Sequence, residues 1–207
     1  MSVICNNQVV KVINSNDQVH VVTAGVQGPP GPTYVFPGGF SSVWIPASSM
    51  TPLTTDGADD LIFTEVGARQ PELKSLPFPP ALDRYADFDV SFPNRWDGLD
   101  LRFYIFWTGL VAGAGDVTWS IQAFARGDGD SLDMTPIATT TVTDTFQSVT
   151  TQHISFMFDV TPDGSPEDGD NVFCVIAREG ASVSDTRNAY ANLLGVKVLY
   201  NTTALAD

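Results

Sequence analysis

Apolar and polar residues alternate at period two through most of the chain beyond residue 34, which predicts strands rather than helices. "LDLRFYIFW" sets Leu99, Leu101, Phe103, Ile105 and Trp107 on one face. "DVTWSIQAFAR", Asp116 to Arg126, does the same with Val117, Trp119, Ile121, Ala123 and Ala125, and turns Thr118, Ser120, Gln122 and Arg126 the other way. In "ADFDVSF", Phe88, Val90 and Phe92 oppose Asp87, Asp89 and Ser91. Further strands are expected at residues 40–47, 60–66, 139–144, 152–160, 172–178 and 193–200. "VFCVIA" is apolar on both faces, as in a strand covered on both sides. Gly, Asp and Pro clusters separate these runs, and the proline-rich "PELKSLPFPPALDRY" reads as loop. A short helix or turn is expected at "VSDTRNAY". The pattern predicts an all-β fold, a jelly-roll-like antiparallel β-sandwich.

The first residues are organised differently. "QVVKVI" and "QVHVVT" flank the turn-forming "NSND" and predict a β-hairpin arm over residues 1–24. A two-stranded hairpin is marginal alone and needs a surface to lie on. Val9, Val10, Val12, Val19, Val21 and Val22 are the candidate attachment residues. Residues 25–33 then read Gly-Val-Gln, Gly-Pro-Pro, Gly-Pro-Thr. Glycine in every third place is what the axis of a collagen triple helix requires. Gly25, Gly28 and Gly31, with Pro29, Pro30 and Pro32, therefore predict a short collagen-like linker at a trimer axis, or else a stiff extended spacer. Residues 34–207 form the head domain.

Composition narrows the function. The 207 residues carry 24 acids against 10 bases, a net charge of −14, which disfavours nucleic acid and anionic membranes as partners. The first ten residues lack the basic and apolar regions of a cleaved signal, so synthesis in a cytoplasm is expected. The two cysteines, Cys5 and Cys174, read as free thiols.

Candidate chemistry is sparse. His153 falls on the polar side of its predicted strand beside Ser155, a geometry that does not suit a nucleophile and its base, and reads as a surface or interface residue. Two histidines and two cysteines do not make a zinc site. Two acidic loops offer oxygen ligands, "RGDGDSLD" with Asp128, Asp130 and Asp133, and "TPDGSPEDGDN" with Asp163, Asp168 and Asp170. They read either as calcium or ligand loops or as plain turns. No cofactor and no catalytic residue is expected. Trp107 and Trp119 belong to the core; Trp96, in "FPNRWDGLD", is compatible with core or surface.

"VWIPASSMTPLTTDGA", "SFPNRWDGLDLRFYIFWTG", "DVTWSIQAFARGDGDSLD" and "VFCVIAREGASVSDTRNAYANLLGVKVLY" together resemble a group of small virion structural proteins of tailed bacteriophages. The arm and Gly-X-Y stub are similar to the organisation of phage head fibres and tail fibres. The resemblance implies a homotrimer on the exterior of the virion, anchored through its N-terminal arm to a major capsid or tail protein. It implies capsid decoration, as a head fibre or cement protein. The alternative is a short tail fibre that recognises host glycan. The motifs are structural and bring no catalytic residues.

Overall fold

The computed structural model describes residues 2–5, 8–15, 18–23, 39–137, 139–155, 158–167 and 169–203. The chain divides into two compact units, the first holding one small sheet and the second two larger ones. In the first unit β1 (Ser2–Cys5), β2 (Gln8–Ser15) and β3 (Gln18–Thr23) pair antiparallel in that order. The expected hairpin is thus a three-stranded sheet: "SVIC" adds a strand by pairing Val3 with Val10 and Ile4 with Val9. The six candidate attachment valines lie on β2 and β3. The Gly-X-Y segment lies outside the described residues.

The second unit is an all-β sandwich of two antiparallel sheets. One sheet has the order β11 (Thr140–Thr145), β10 (Asp116–Arg126), β14 (Asn171–Glu179), β8 (Asp83–Ser91) and β5 (Thr51–Pro52). The other runs β12 (Gln152–Ile154), β9 (Leu101–Thr108), β15 (Ala191–Asn201), β7 (Glu72–Phe78) and β6 (Ile62–Glu65). In that sheet β13 (Phe158–Val160) also pairs with β9, and β4 (Phe40–Pro46) with β15. The inward faces are the ones the alternation marks: Phe103, Ile105 and Trp107 of β9 and Trp119 and Ile121 of β10 are fully buried. Removing such side chains from water is the main drive for the fold, at ~25 cal/mol per Å² of apolar surface.

Several expectations are corrected. The segment read as proline-rich loop contains β7, because Leu76 and Phe78 alternate into the core and Pro77 sits near the strand end, where a missing donor is tolerated. Leu99 precedes β9 and is 61% exposed, so it is not a core position. The run 152–160 is two short strands, β12 and β13, both on β9. "VSDTRNAY" takes the turn of the two forms expected for it. Trp96 is buried against Phe92, with ring centroids 4.7 Å apart. Cys174 is, as expected, a free thiol; it is buried, which pushes its pKa up.

His153 is the largest of these corrections. The register pairs it with Trp107, an inward position, so it is buried and the neighbouring Ile154 is exposed. Its ring stacks on Trp107 at 4.2 Å and on Phe146 at 5.4 Å. Burial lowers its pKa, while the Asp144 carboxylate works the other way.

Arginine, rather than the predicted apolar residues alone, organises the loop between β14 and β15. Arg178 points into the sandwich with no exposed side-chain surface. It donates two bonds to Asp185, Nε to Oδ2 at 2.9 Å and Nη2 to Oδ1 at 2.7 Å. Its remaining N–H groups reach the carbonyls of Phe78, Ala189 and Arg187. All five guanidinium donors are therefore used. Arg187 is buried over the Phe146 ring, 3.6 Å from its centroid, and donates to the carbonyls of Val111 and Gly113.

Candidate functional site

The outer face of the β8–β14–β10 strands forms the floor of a groove of about 650 Å³. Cross-strand register builds it. Asp87 of β8 stands beside Val175 of β14, and Val175 beside Gln122 of β10. In the next outward row Asp89 stands beside Phe173 and Phe173 beside Phe124. Tyr85 extends the β8 line, since alternate residues share a face. With strands ~4.8 Å apart, the floor from β8 to β10 is ~10 Å across, room for one extended polymer chain.

Two walls flank this floor. Beside β8, residues 47–57 form a 3-10 turn at Ala47–Ser49, the strand β5, and a tight turn. That wall is tied to β8 by Leu53 N–H and Ala58 N–H to the Tyr85 carbonyl, and by Tyr85 N–H to the Asp56 carbonyl at 3.0 Å. Arg84 pairs with Asp56 at 3.6 Å. Gly57 is required there, since a side chain would run into the Leu53 backbone. Beside β10, Met134 and Pro136 form the opposite wall. Arg126 braces that loop by donating to the Ser131 carbonyl at 3.0 Å.

The two sides differ chemically. Asp56, Asp87 and Asp89 all lie on the β8 side, and the β10 side presents Gln122, Phe124, Met134 and Pro136. Among the described residues, no lysine, arginine or histidine lines the groove. Among the described residues, no salt bridge reaches Asp87 or Asp89. Burial raises the Asp87 pKa, and the Asp89 charge adds to the shift against backbone N–H donation at Asp87 and Thr51. Burial likewise raises that of Tyr85, with nearby carboxylates adding to it.

The two acidic loops do meet. Asp128, Asp130, Asp133 and Asp170 line a separate polar cavity of about 600 Å³. The carboxylates of Asp130 and Asp170 serve local turns. Asp130 accepts from Gly127 N–H, Asp170 accepts from Glu167 N–H, and Asp163 pairs with Arg126 at 3.0 Å. Asp168 lies outside the described residues. Among the described residues no group of three His, Cys, Asp or Glu side chains is placed to hold a metal ion.

The sequence reading put Asp87 and Asp89 outside the core but did not join them to Phe173, Phe124 and Gln122. The doubly apolar "VFCVIA" was the one available signal that the outer face of β14 is covered.

No protein-family model matches the sequence, and none of the curated proteins matches it. Among solved structures, the sandwich is similar to a carbohydrate-binding module specific for non-crystalline cellulose, at 14% identity and a TM-score of 0.39, covering 77% of this chain and 89% of that one. A xylan-binding domain from Paenibacillus barcinonensis is similar at 15% identity and a TM-score of 0.37, with 82% and 98% covered. A family 11 carbohydrate-binding module from Clostridium thermocellum is similar at 10% identity and a TM-score of 0.31, with 86% and 96% covered. These are distant likenesses of fold, and no ligand is carried over from them.

Proposed function

We propose that the head is a non-catalytic glycan-binding module, with its binding site in the groove over β8, β14 and β10. The observation that carries this reading is the floor itself, where Tyr85 and Phe173 stand among Asp87, Asp89 and Gln122 between two walls. Sugar rings present apolar faces to aromatic side chains and hydroxyls to carboxylates and amides, and such mixed concave surfaces suit them. Hydrolysis of a glycosidic bond calls for two carboxyl groups flanking that bond. Here all three carboxylates stand on one side, which favours holding a glycan over cleaving it. Titration of the full chain with purified bacterial envelope polysaccharide is the test. Phe173→Ala is expected to weaken binding about tenfold with the fold unchanged, because the residue faces the groove and lies outside the core. Saturable binding that Phe173→Ala leaves intact would move the site elsewhere.

A specific observation also favours the decoration reading, in which three copies assemble on a phage particle. The outer face of β4, β9 and β15 is rich in aromatic residues. Trp44 is 47% exposed and meets Phe106 edge-on at 5.0 Å. Phe40 is 59% exposed under the Arg102 guanidinium, 4.6 Å away. Exposed apolar patches of this kind mark interaction surfaces. β4 begins seven residues after the Gly-X-Y segment in the sequence. Three chains wound there would bring three such faces together. Sedimentation equilibrium is expected to give three times the 22.3 kDa chain mass, and Trp44→Ser together with Phe40→Ser to lower it. A monomer at micromolar concentration would end this reading.

A further inference from the structure

We infer that the groove selects glycans bearing free amino groups, of the glucosamine type, over their neutral or N-acetylated counterparts. This rests on the glycan-binding reading above and specifies its ligand. The carboxylates of Asp87 and Asp89 project from one strand, two residues apart, on the floor of the groove. Asp56 adds a third carboxylate from the adjacent wall, but Arg84 already engages it. No basic side chain lines the groove, and no ion pair reaches Asp87 or Asp89 among the described residues. Asn171 donates to Asp89 at 3.3 Å, a neutral contact that leaves its charge in place.

Two like charges thus stand on one face of β8 beside an apolar surface, with no counter-ion among the described residues. A bound ammonium group placed at their level relieves that repulsion and gains charge-assisted hydrogen bonds. The opposite side supplies what the remainder of such a sugar needs. Phe173 offers aromatic surface, backed by the buried Phe124, and Gln122 offers both a donor and an acceptor for hydroxyls. Tyr85 adds an aromatic ring next to the carboxylates, and ammonium groups are attracted to ring faces as well as to anions. An anionic glycan would meet the same carboxylates as repulsion, which excludes uronic-acid and phosphate-bearing polymers from the groove.

The test titrates the full chain with three oligosaccharides of equal length: a glucosamine hexamer, its fully N-acetylated form, and cellohexaose. The glucosamine hexamer is expected to bind about tenfold tighter than the other two at low salt, with the advantage shrinking as ionic strength rises. Asp87→Asn with Asp89→Asn, which preserves shape, is expected to abolish that preference, so that the variant binds the glucosamine hexamer no tighter than cellohexaose. Denaturation midpoints of the variant check that the fold is intact. Equal binding of all three sugars overturns the amine preference and leaves the glycan-binding reading standing. A preference that survives in the double variant places the amine elsewhere and overturns the assignment of these two carboxylates. Failure of all three to bind, together with no binding of envelope polysaccharide, removes the underlying reading itself.

Discussion

Replacing Arg178 with alanine is expected to destabilise the head by about 3–5 kcal/mol, a large share of a domain's total stability. The expectation follows from what the guanidinium satisfies. Asp185 is 1% exposed in its side chain and would be left with the Thr118 N–H as the remaining described donor to its side chain. The carbonyls of Phe78, Ala189 and Arg187 would lose a donor together. Those three carbonyls come from the end of β7 and from the loop before β15, whereas Arg178 stands on β14 of the other sheet, so a link between the two sheets is lost. Arg178→Lys is expected to recover only part of the loss, since an ammonium cannot offer two parallel bonds to Asp185 and reach the carbonyls as well. Urea denaturation followed by tryptophan fluorescence measures both. A loss for Arg178→Ala below ~1 kcal/mol, the scale of an exposed ion pair, would show that water replaces the guanidinium at no great penalty.

Trp107→Ala is the second large effect, expected at about 3–5 kcal/mol from lost transfer energy and the cavity left behind. Trp107 is fully buried and lies 6.4 Å from the rings of both Trp119 and Phe146. Its indole N–H donates to Asp144 Oδ2 at 2.9 Å. The His153 ring stacked on it would lose one of its two aromatic covers. Trp107→Phe separates the contributions. It keeps most of the packing and removes the hydrogen bond, and its expected cost is about 1–3 kcal/mol because the acceptor is charged. Equal losses for the two variants would mean that packing around Trp107 contributes little beyond the Asp144 bond.

The sequence was most informative where one strand's own alternation settles its faces. β10 runs from Asp116 to Arg126 as the pattern predicts, with its alternate positions buried. It was least informative where a second strand settles them. His153 reads as polar-facing from its neighbours, but its pairing with Trp107 makes it a core residue. β7 was hidden by its prolines, whose local signal is weaker than burial of Leu76 and Phe78. The groove was invisible for the same reason as His153. Asp87, Val175 and Gln122 are far apart in sequence and become neighbours only through two antiparallel registers. Arg178 carries no local mark at all, because a buried arginine is recognisable only once its five acceptors are in place.

The first and last strands of the head also bear on mechanics. β4 and β15 pair over seven rungs, from Pro46 opposite Gly195 to Phe40 opposite Asn201. Beyond the last rung, Gly39 and Thr202 exchange hydrogen bonds, with Thr202 N–H to the Gly39 carbonyl at 2.7 Å. A pull on the chain at Gly39 would therefore meet a latch before it meets the ladder. Pulled sideways, away from β15, the ladder opens one rung at a time from Phe40. Pulled lengthwise, all seven rungs share the force, so the direction of a pull sets how firmly β4 is held.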